Sequence, residues 1–262
     1  MNQRPQSPFR VSRLLAALLA LLPLVGCTAT AVEDKVHQYA PFQAFADGQF
    51  DGDLRVSQLK HHGYIGLGTF NGLDGEMIVL DEVYQIRSDG KAVVAGDSLR
   101  TPFAQVASLS HPTRRTFGKP LSMAELQRAL ETLAGDDNGS ILAARIDGVF
   151  TSVRVRSVPP QDKPYPTLAE AVKHQRVYEH ASIRGTIVAF RFPATIGNLN
   201  VPGWHMHFID AERKVGGHVL AVETQAVSAA VQTASLLELR LPQRSGTSPS
   251  SAPASRDAAG PE

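Results

Sequence analysis

The chain has 262 residues, 43% of them hydrophobic and 19% charged, with 26 lysines and arginines against 25 acids. That balance excludes a disordered, highly charged chain and gives no electrostatic reason to expect a nucleic acid as partner. With a single cysteine, Cys27, an intrachain disulfide and a cysteine-built zinc ribbon are excluded too.

Residues 1–13 carry Arg4, Arg10 and Arg13 and no acid, and Leu14 to Gly26 is almost wholly apolar. A basic start, a short apolar run and a small residue before a cut predict a secretory signal peptide over residues 1–26, too short for a comfortable membrane span. Leu24-Val25-Gly26-Cys27 resembles a bacterial lipobox. The resemblance implies an exported, periplasm-facing lipoprotein lipidated at Cys27, with Thr28 favouring the outer membrane in a cell that has one. Removing residues 1–26 takes away three arginines and no acid, so the remaining body is mildly acidic. Anchoring would come from acyl chains and not from a basic patch.

Val32 to Asp47 reads as a short amphipathic helix ending at Gly48, followed by a glycine-crowded stretch of tight turns and close backbone approaches. Met77 to Leu80, Val83 to Ile86 and Ala92 to Ala95 are expected strands, the last two joined by a turn at Ser88-Asp89-Gly90-Lys91. Ser122 to Leu133 is an expected helix, with Ser122 as N-cap, Glu125 in the first turn and Leu126, Leu130 and Leu133 on one face. Asp136 to Gly139 breaks the chain, and Ile141 to Arg156 supplies strands with a turn near Asp147-Gly148. Thr167 to Tyr178 reads as a second helix; Ile183 to Phe192, Trp204 to Ile209, His218 to Val227 and Leu236 to Leu241 read as strands. Residues 245–262 are Ser-, Ala- and Pro-rich and predict a disordered tail. The class is α+β with mixed or antiparallel sheets, in two sheet-containing lobes divided near residues 136–139.

The strongest local signal is Trp204-His205-Met206-His207-Phe208 followed by Gly216-Gly217-His218. On a strand His205 and His207 share a face, and a hairpin over the polar Asp210 to Lys214 would return His218 beside them. Three imidazoles from neighbouring strands leave coordination positions open, the layout of a catalytic rather than a structural zinc site. His-x-His alone is a weak signal, and two packed or solvated histidines are its bland reading. His61 and His62 precede a glycine turn and read as surface residues; His111, His174 and His180 stand singly.

Several stretches together resemble the α-acetolactate decarboxylase family: Tyr64-Ile-Gly-Leu-Gly-Thr-Phe70, Leu73-Asp-Gly-Glu-Met77, Thr101-Pro-Phe-Ala104, Ile146-Asp-Gly-Val-Phe150, Arg156-Ser-Val, Lys163-Pro-Tyr, the Gly185-Thr186 strand, Gly203-Trp-His-Met-His-Phe208 and Gly216-Gly-His218. They run in family order from about Gln38 to Glu223 and make residues 27–244 one decarboxylase-like domain. The resemblance implies zinc on His205, His207 and His218, active-site roles for Glu76, Arg156 and Thr69, and a homodimer. Taken alone, Glu76 is a turn acid, Arg154 and Arg156 are a solvated pair on one strand face, and Thr69 is a strand hydroxyl.

The implied reaction converts 2-hydroxy-2-methyl-3-oxobutanoate, a 2-hydroxy-3-oxo acid, to acetoin and carbon dioxide through a metal-stabilised enediolate. The metal serves as the electron sink, and no organic cofactor is needed. One departure stands out: the family's late glutamate, which folds back into the active site, has no counterpart in the stretch after Leu241, and neither Glu223 nor Glu238 is selected as its substitute. A rival reading is a non-catalytic zinc- or ligand-binding lipoprotein of the same fold. A second rival is a metallohydrolase using water on the same three histidines.

Overall fold

Short apolar runs cut by glycine and polar turns fold mainly as strands here, and helices take up little of the chain. The computed structural model describes residues 1–2, 34–135 and 139–243. Among these the elements are β1 (Lys35–Tyr39), α1 (Phe42–Ala46), β2 (Leu54–Arg55), α2 (Val56–Leu59), β3 (Ile65–Thr69), β4 (Glu76–Val79), β5 (Val83–Ile86), β6 (Ala92–Val94), β7 (Arg100–Thr101), β8 (Ala104–Ala107) and β9 (Thr113–Phe117). They continue as α3 (Met123–Ala134), β10 (Ile141–Ser157), α4 (Leu168–Val172), β11 (Arg176–Phe192), β12 (Gly203–Asp210), β13 (Gly216–Ala234) and β14 (Leu236–Arg240). The result is a sheet-dominated α+β fold. Cys27, residues 136–138 and the tail 245–262 lie outside the described residues.

The first sheet is mixed, in the order β14-β1-β8-β3-β4-β5-β6, with β14 parallel to β1. The second is antiparallel, in the order β10-β11-β12-β13-β9. Because β10 pairs with β13 as well as with β11, strands β10 to β13 close on themselves. Strand alternation sends Val36, Leu67 and Ile78 of the first sheet against Val188, Phe190, Ile209 and Ala230 of the second, so one apolar cluster joins the two.

Helix α3 forms as its sequence dictates. The Ser122 hydroxyl accepts from the Glu125 backbone N–H, the Glu125 carboxylate accepts from Ser122 N–H at 2.8 Å, and Gly135 ends the helix at φ 92°. Leu126 and Leu130 are fully buried against Leu142, Ile146, Met206 and Phe208 of the second sheet. Such burial contributes about 1.5–3 kcal/mol per leucine, against about 1 kcal/mol for a cap, so packing rather than capping holds this helix.

Three expectations are corrected. The span expected as one helix from Val32 to Asp47 contains β1, then a turn with Ala40 at φ 65°, then the five-residue α1. Pro41 is the cause, since a residue preceding proline is disfavoured in the α region, and β1 finds partners in β8 and β14 instead. No turn occurs at Asp147-Gly148. Strand β10 runs straight through, with Gly148 opposite Gly185, and a side chain at Gly148 would meet the Ala226 carbonyl oxygen at 2.3 Å. The helix expected from Thr167 to Tyr178 stops at Val172, because from Arg176 onward the backbone pairs with β10. The short strands β1, β3, β8 and β9 were not among the expected elements.

Candidate active site

The two sheets contribute different chemistry to one seam. At the end of β3 and the start of β4, Thr69 and Glu76 are cross-strand partners on the face turned toward the second sheet. From the second sheet, His205 and His207 project from β12 on the same face as Ile209, while Met206 and Phe208 turn to the opposite core. The β12–β13 hairpin pairs His207 with His218, and β10 sets Arg156 opposite His218. Gly217 lets these strands approach, since a Cβ there would lie 2.5 Å from the Arg156 carbonyl oxygen.

The three imidazoles converge. His205 Nε2 lies 3.1 Å from both His207 Nε2 and His218 Nδ1. His207 Nδ1 must donate to the Met77 carbonyl oxygen at 2.8 Å, which fixes its Nε2 as a lone pair in the neutral ring. Burial, aided by the Arg156 charge, holds His205 down at about 3 and His207 and His218 well below the usual imidazole value. All three rings are therefore neutral near pH 7, with nitrogens facing one another. A single ring proton on His205 Nε2 would have to be shared between two acceptors, whereas a cation can take a lone pair from each of the three nitrogens. Two nitrogens about 2.05 Å from one ion stand about 2.9 Å apart at right angles and about 3.3 Å apart at tetrahedral angles, so the observed spacing suits a shared ion.

Around them, Arg156 Nη1 lies 3.4 Å from Glu76 Oε1, and Glu76 Oε2 lies 3.5 Å from His207 Nε2. Burial raises the Glu76 carboxyl above its ordinary range, and Arg156 only partly opposes this. The Arg156 side chain is 14% exposed, whereas Arg154, on the same face, is 53% exposed beside Glu179, so the two arginines separate into an inner and an outer one. The Thr69 hydroxyl donates to the Gly75 carbonyl oxygen at 2.6 Å and keeps only acceptor capacity toward the pocket.

Thr69, Glu76, Arg156, His205 and His218 line a single cavity of about 260 Å³, with the fully buried His207 beneath them. Of its apolar wall, sequence reasoning missed Phe42 and Phe45 altogether and gave no role to Leu73, Phe103 and Trp204, which lie in the resembling stretches. Nothing local distinguishes these side chains from ordinary core. Neither Glu223 nor Glu238 lines the cavity.

Fold and site together define a sheet-built pocket that can hold a cation beside an arginine and a protonatable carboxyl, an arrangement fitted to a small anionic substrate. The profile of the alpha-acetolactate decarboxylase family matches residues 36–247. An alpha-acetolactate decarboxylase from Methanosarcina mazei is 40% identical over 220 residues, spanning 84% of this chain and 76% of that one; one from Bacillus subtilis strain 168 is 34% identical over 209 residues, 79% and 82%. The crystal structure of the alpha-acetolactate decarboxylase from Bacillus subtilis strain 168 superposes with a TM-score of 0.77 at 33% identity, covering 80% of this chain and 90% of that one. The chain belongs to the α-acetolactate decarboxylase family, and it is an enzyme of the carboxy-lyase class.

Proposed function

We propose that this pocket decarboxylates 2-hydroxy-2-methyl-3-oxobutanoate to acetoin in a zinc-dependent reaction, with His205, His207 and His218 holding the ion. The observation that carries the reading is the convergence of three neutral imidazoles, two of them lining one cavity with Glu76 and Arg156. When bound there, zinc supplies Lewis acidity that stabilises the negative charge developing on the ketone oxygen as carbon dioxide departs.

The protein's own groups do the rest. Arg156 orients the substrate carboxylate. A tight grip on that charge would favour the ground state, since carbon dioxide leaves neutral, so Arg156 serves as a positioning charge rather than a clamp. Glu76, with its carboxyl raised by burial, carries the proton that C2 must receive and delivers it to one face, which sets the handedness of the product. Thr69, its own proton committed to Gly75, accepts from the substrate hydroxyl. Phe42, Phe45 and Phe103 keep water from the substrate's methyl groups and lower the local dielectric.

The test is acetoin formation from racemic substrate by the purified protein after chelation and after zinc is restored. Activity lost and regained with zinc is the expected result; full turnover by the stripped protein, or by a His205→Ala variant without bound metal, overturns the zinc assignment. Export through residues 1–26, anchoring at Cys27 and a homodimeric state belong to the same proposal. The first two rest on the Leu24-Val25-Gly26-Cys27 pattern, and membrane partition that survives Cys27→Ser would refute the anchor. The third rests on the family resemblance alone, and sedimentation as a monomer would refute it.

A further inference from the structure

A second histidine cluster stands apart from the pocket. On β1, Val36 faces the core between the sheets, so the next residue, His37, points to the opposite face. There it meets Glu238, its register partner on β14, and His62 from the turn after α2. His37 Nδ1 lies 3.6 Å from Glu238 Oε1, and one nitrogen of each ring and a carboxylate oxygen all fall within 4.8 Å of one another.

His37 is only 2% exposed, and neither of its ring nitrogens has a hydrogen-bond partner. A buried imidazole with no hydrogen bond at either nitrogen, and only the 3.6 Å contact to Glu238 at Nδ1, is costly and calls for a ligand. We propose that His37, His62 and Glu238 form a second metal site, specific for a divalent transition ion of the zinc class, which braces β1, β14 and the turn after α2 against one another.

The donor set selects the ion. Two imidazoles and one carboxylate suit zinc, copper or nickel and not magnesium or calcium, which take oxygen. The 3.6 Å between His37 Nδ1 and Glu238 Oε1 is close to the roughly 3.3 Å edge of a tetrahedral zinc site. His62 must turn to join them. Its ring is stacked on His37 at 3.6 Å and 6°, and ring lone pairs lie in the ring plane, so coordination takes His62 out of the stack. His62 is half-buried, in the turn ahead of Gly63. Lys35 Nζ holds the other Glu238 oxygen at 2.6 Å, which leaves Oε1 as a single-oxygen ligand and sets a repelling charge nearby. Affinity is therefore lower than at the pocket, and Lys35→Gln should raise it.

The experiment is equilibrium dialysis of the chelator-stripped full chain against micromolar zinc, with bound metal counted by elemental analysis and melting temperature read in parallel. His62→Ala and Glu238→Gln, both at partly exposed positions, should each bind one zinc fewer than the wild type, while His61→Ala should bind as many. The pocket variant His205→Ala/His218→Ala should keep the ion that His62→Ala loses, and zinc should raise its melting temperature, a rise abolished when His62→Ala is added. Equal zinc in wild type, His62→Ala and Glu238→Gln overturns the second site. A pocket variant that loses no zinc overturns the pocket assignment instead, so the two failures are told apart.

Discussion

In the proposed reaction Glu76 must be protonated when the electron pair at C2 is quenched, and its burial favours that state. Desolvation in the seam between sheets raises its carboxyl, and the Arg156 charge only partly offsets the rise. An acid with a raised pKa keeps its proton to higher pH and loses it as pH climbs past that value, so turnover should decline on the alkaline side as Glu76 ionises. Glu76→Gln should lower kcat by about 10²–10⁴-fold, flatten that limb of the pH profile and leave bound zinc unchanged. Steady-state rates across pH, paired with metal analysis, check this; a Gln variant with wild-type kcat would remove Glu76 from the chemistry. In the sequence this residue is one acid in a glycine turn. What gives it a role is a resemblance and a neighbour 80 positions away, neither visible in local spacing.

At the scale of elements, legibility tracks how local the determinants are. The His205-Met206-His207 alternation and the hairpin returning His218 depend on residues within one turn of each other, and they read correctly. Helix α3 was equally plain, because its cap and its leucine spacing are both short-range. Strand β1 was not, since Val36 pairs with Ala107 and Leu237, and only Pro41 hinted that no helix could run through. The link between α3 and β12 was invisible for the same reason. Trp204 Nε1–H donates at 2.8 Å to Glu131 Oε1 on α3, and Arg191 Nε stands 3.7 Å from the same oxygen. Trp204 is the only tryptophan in the chain, and it lines the pocket immediately before His205. Glu131→Gln weakens a charge-assisted bond of about 1.5 kcal/mol, so KM should rise by up to about tenfold with kcat little changed. Intrinsic fluorescence should shift with it. Unaltered emission and unaltered KM would show that α3 does not position this wall.

The whole molecule places its imidazoles where neither sheet alone could hold them: the second sheet supplies the rings and the first supplies the Met77 carbonyl that fixes one tautomer. Sequence order separates these parts by more than 120 residues, so the strand face was readable but its roof was not. Burial of this kind has a cost that depends on pH. In the unfolded chain each ring takes a proton near 6.5; in the folded, metal-free protein His205 resists to about 3, and His207 and His218 also titrate well below 6.5. A depressed histidine contributes stability above its unfolded pKa and loses it as pH falls toward the folded value. Each ring thus costs about 1.4 kcal/mol per pH unit across that window. The stripped protein should therefore weaken steeply on acidification below 6.5. A stripped His205→Gln variant, with one proton fewer to exclude, should show a shallower slope, even if it is less stable at neutral pH. Zinc that binds the folded state alone should move acid unfolding of the wild type to lower pH and do so less in the variant. Urea unfolding of both proteins over a pH series, with and without chelator, measures these slopes. Equal slopes would mean that folding does not hold the His205 proton off, and that its burial carries no pH-dependent cost.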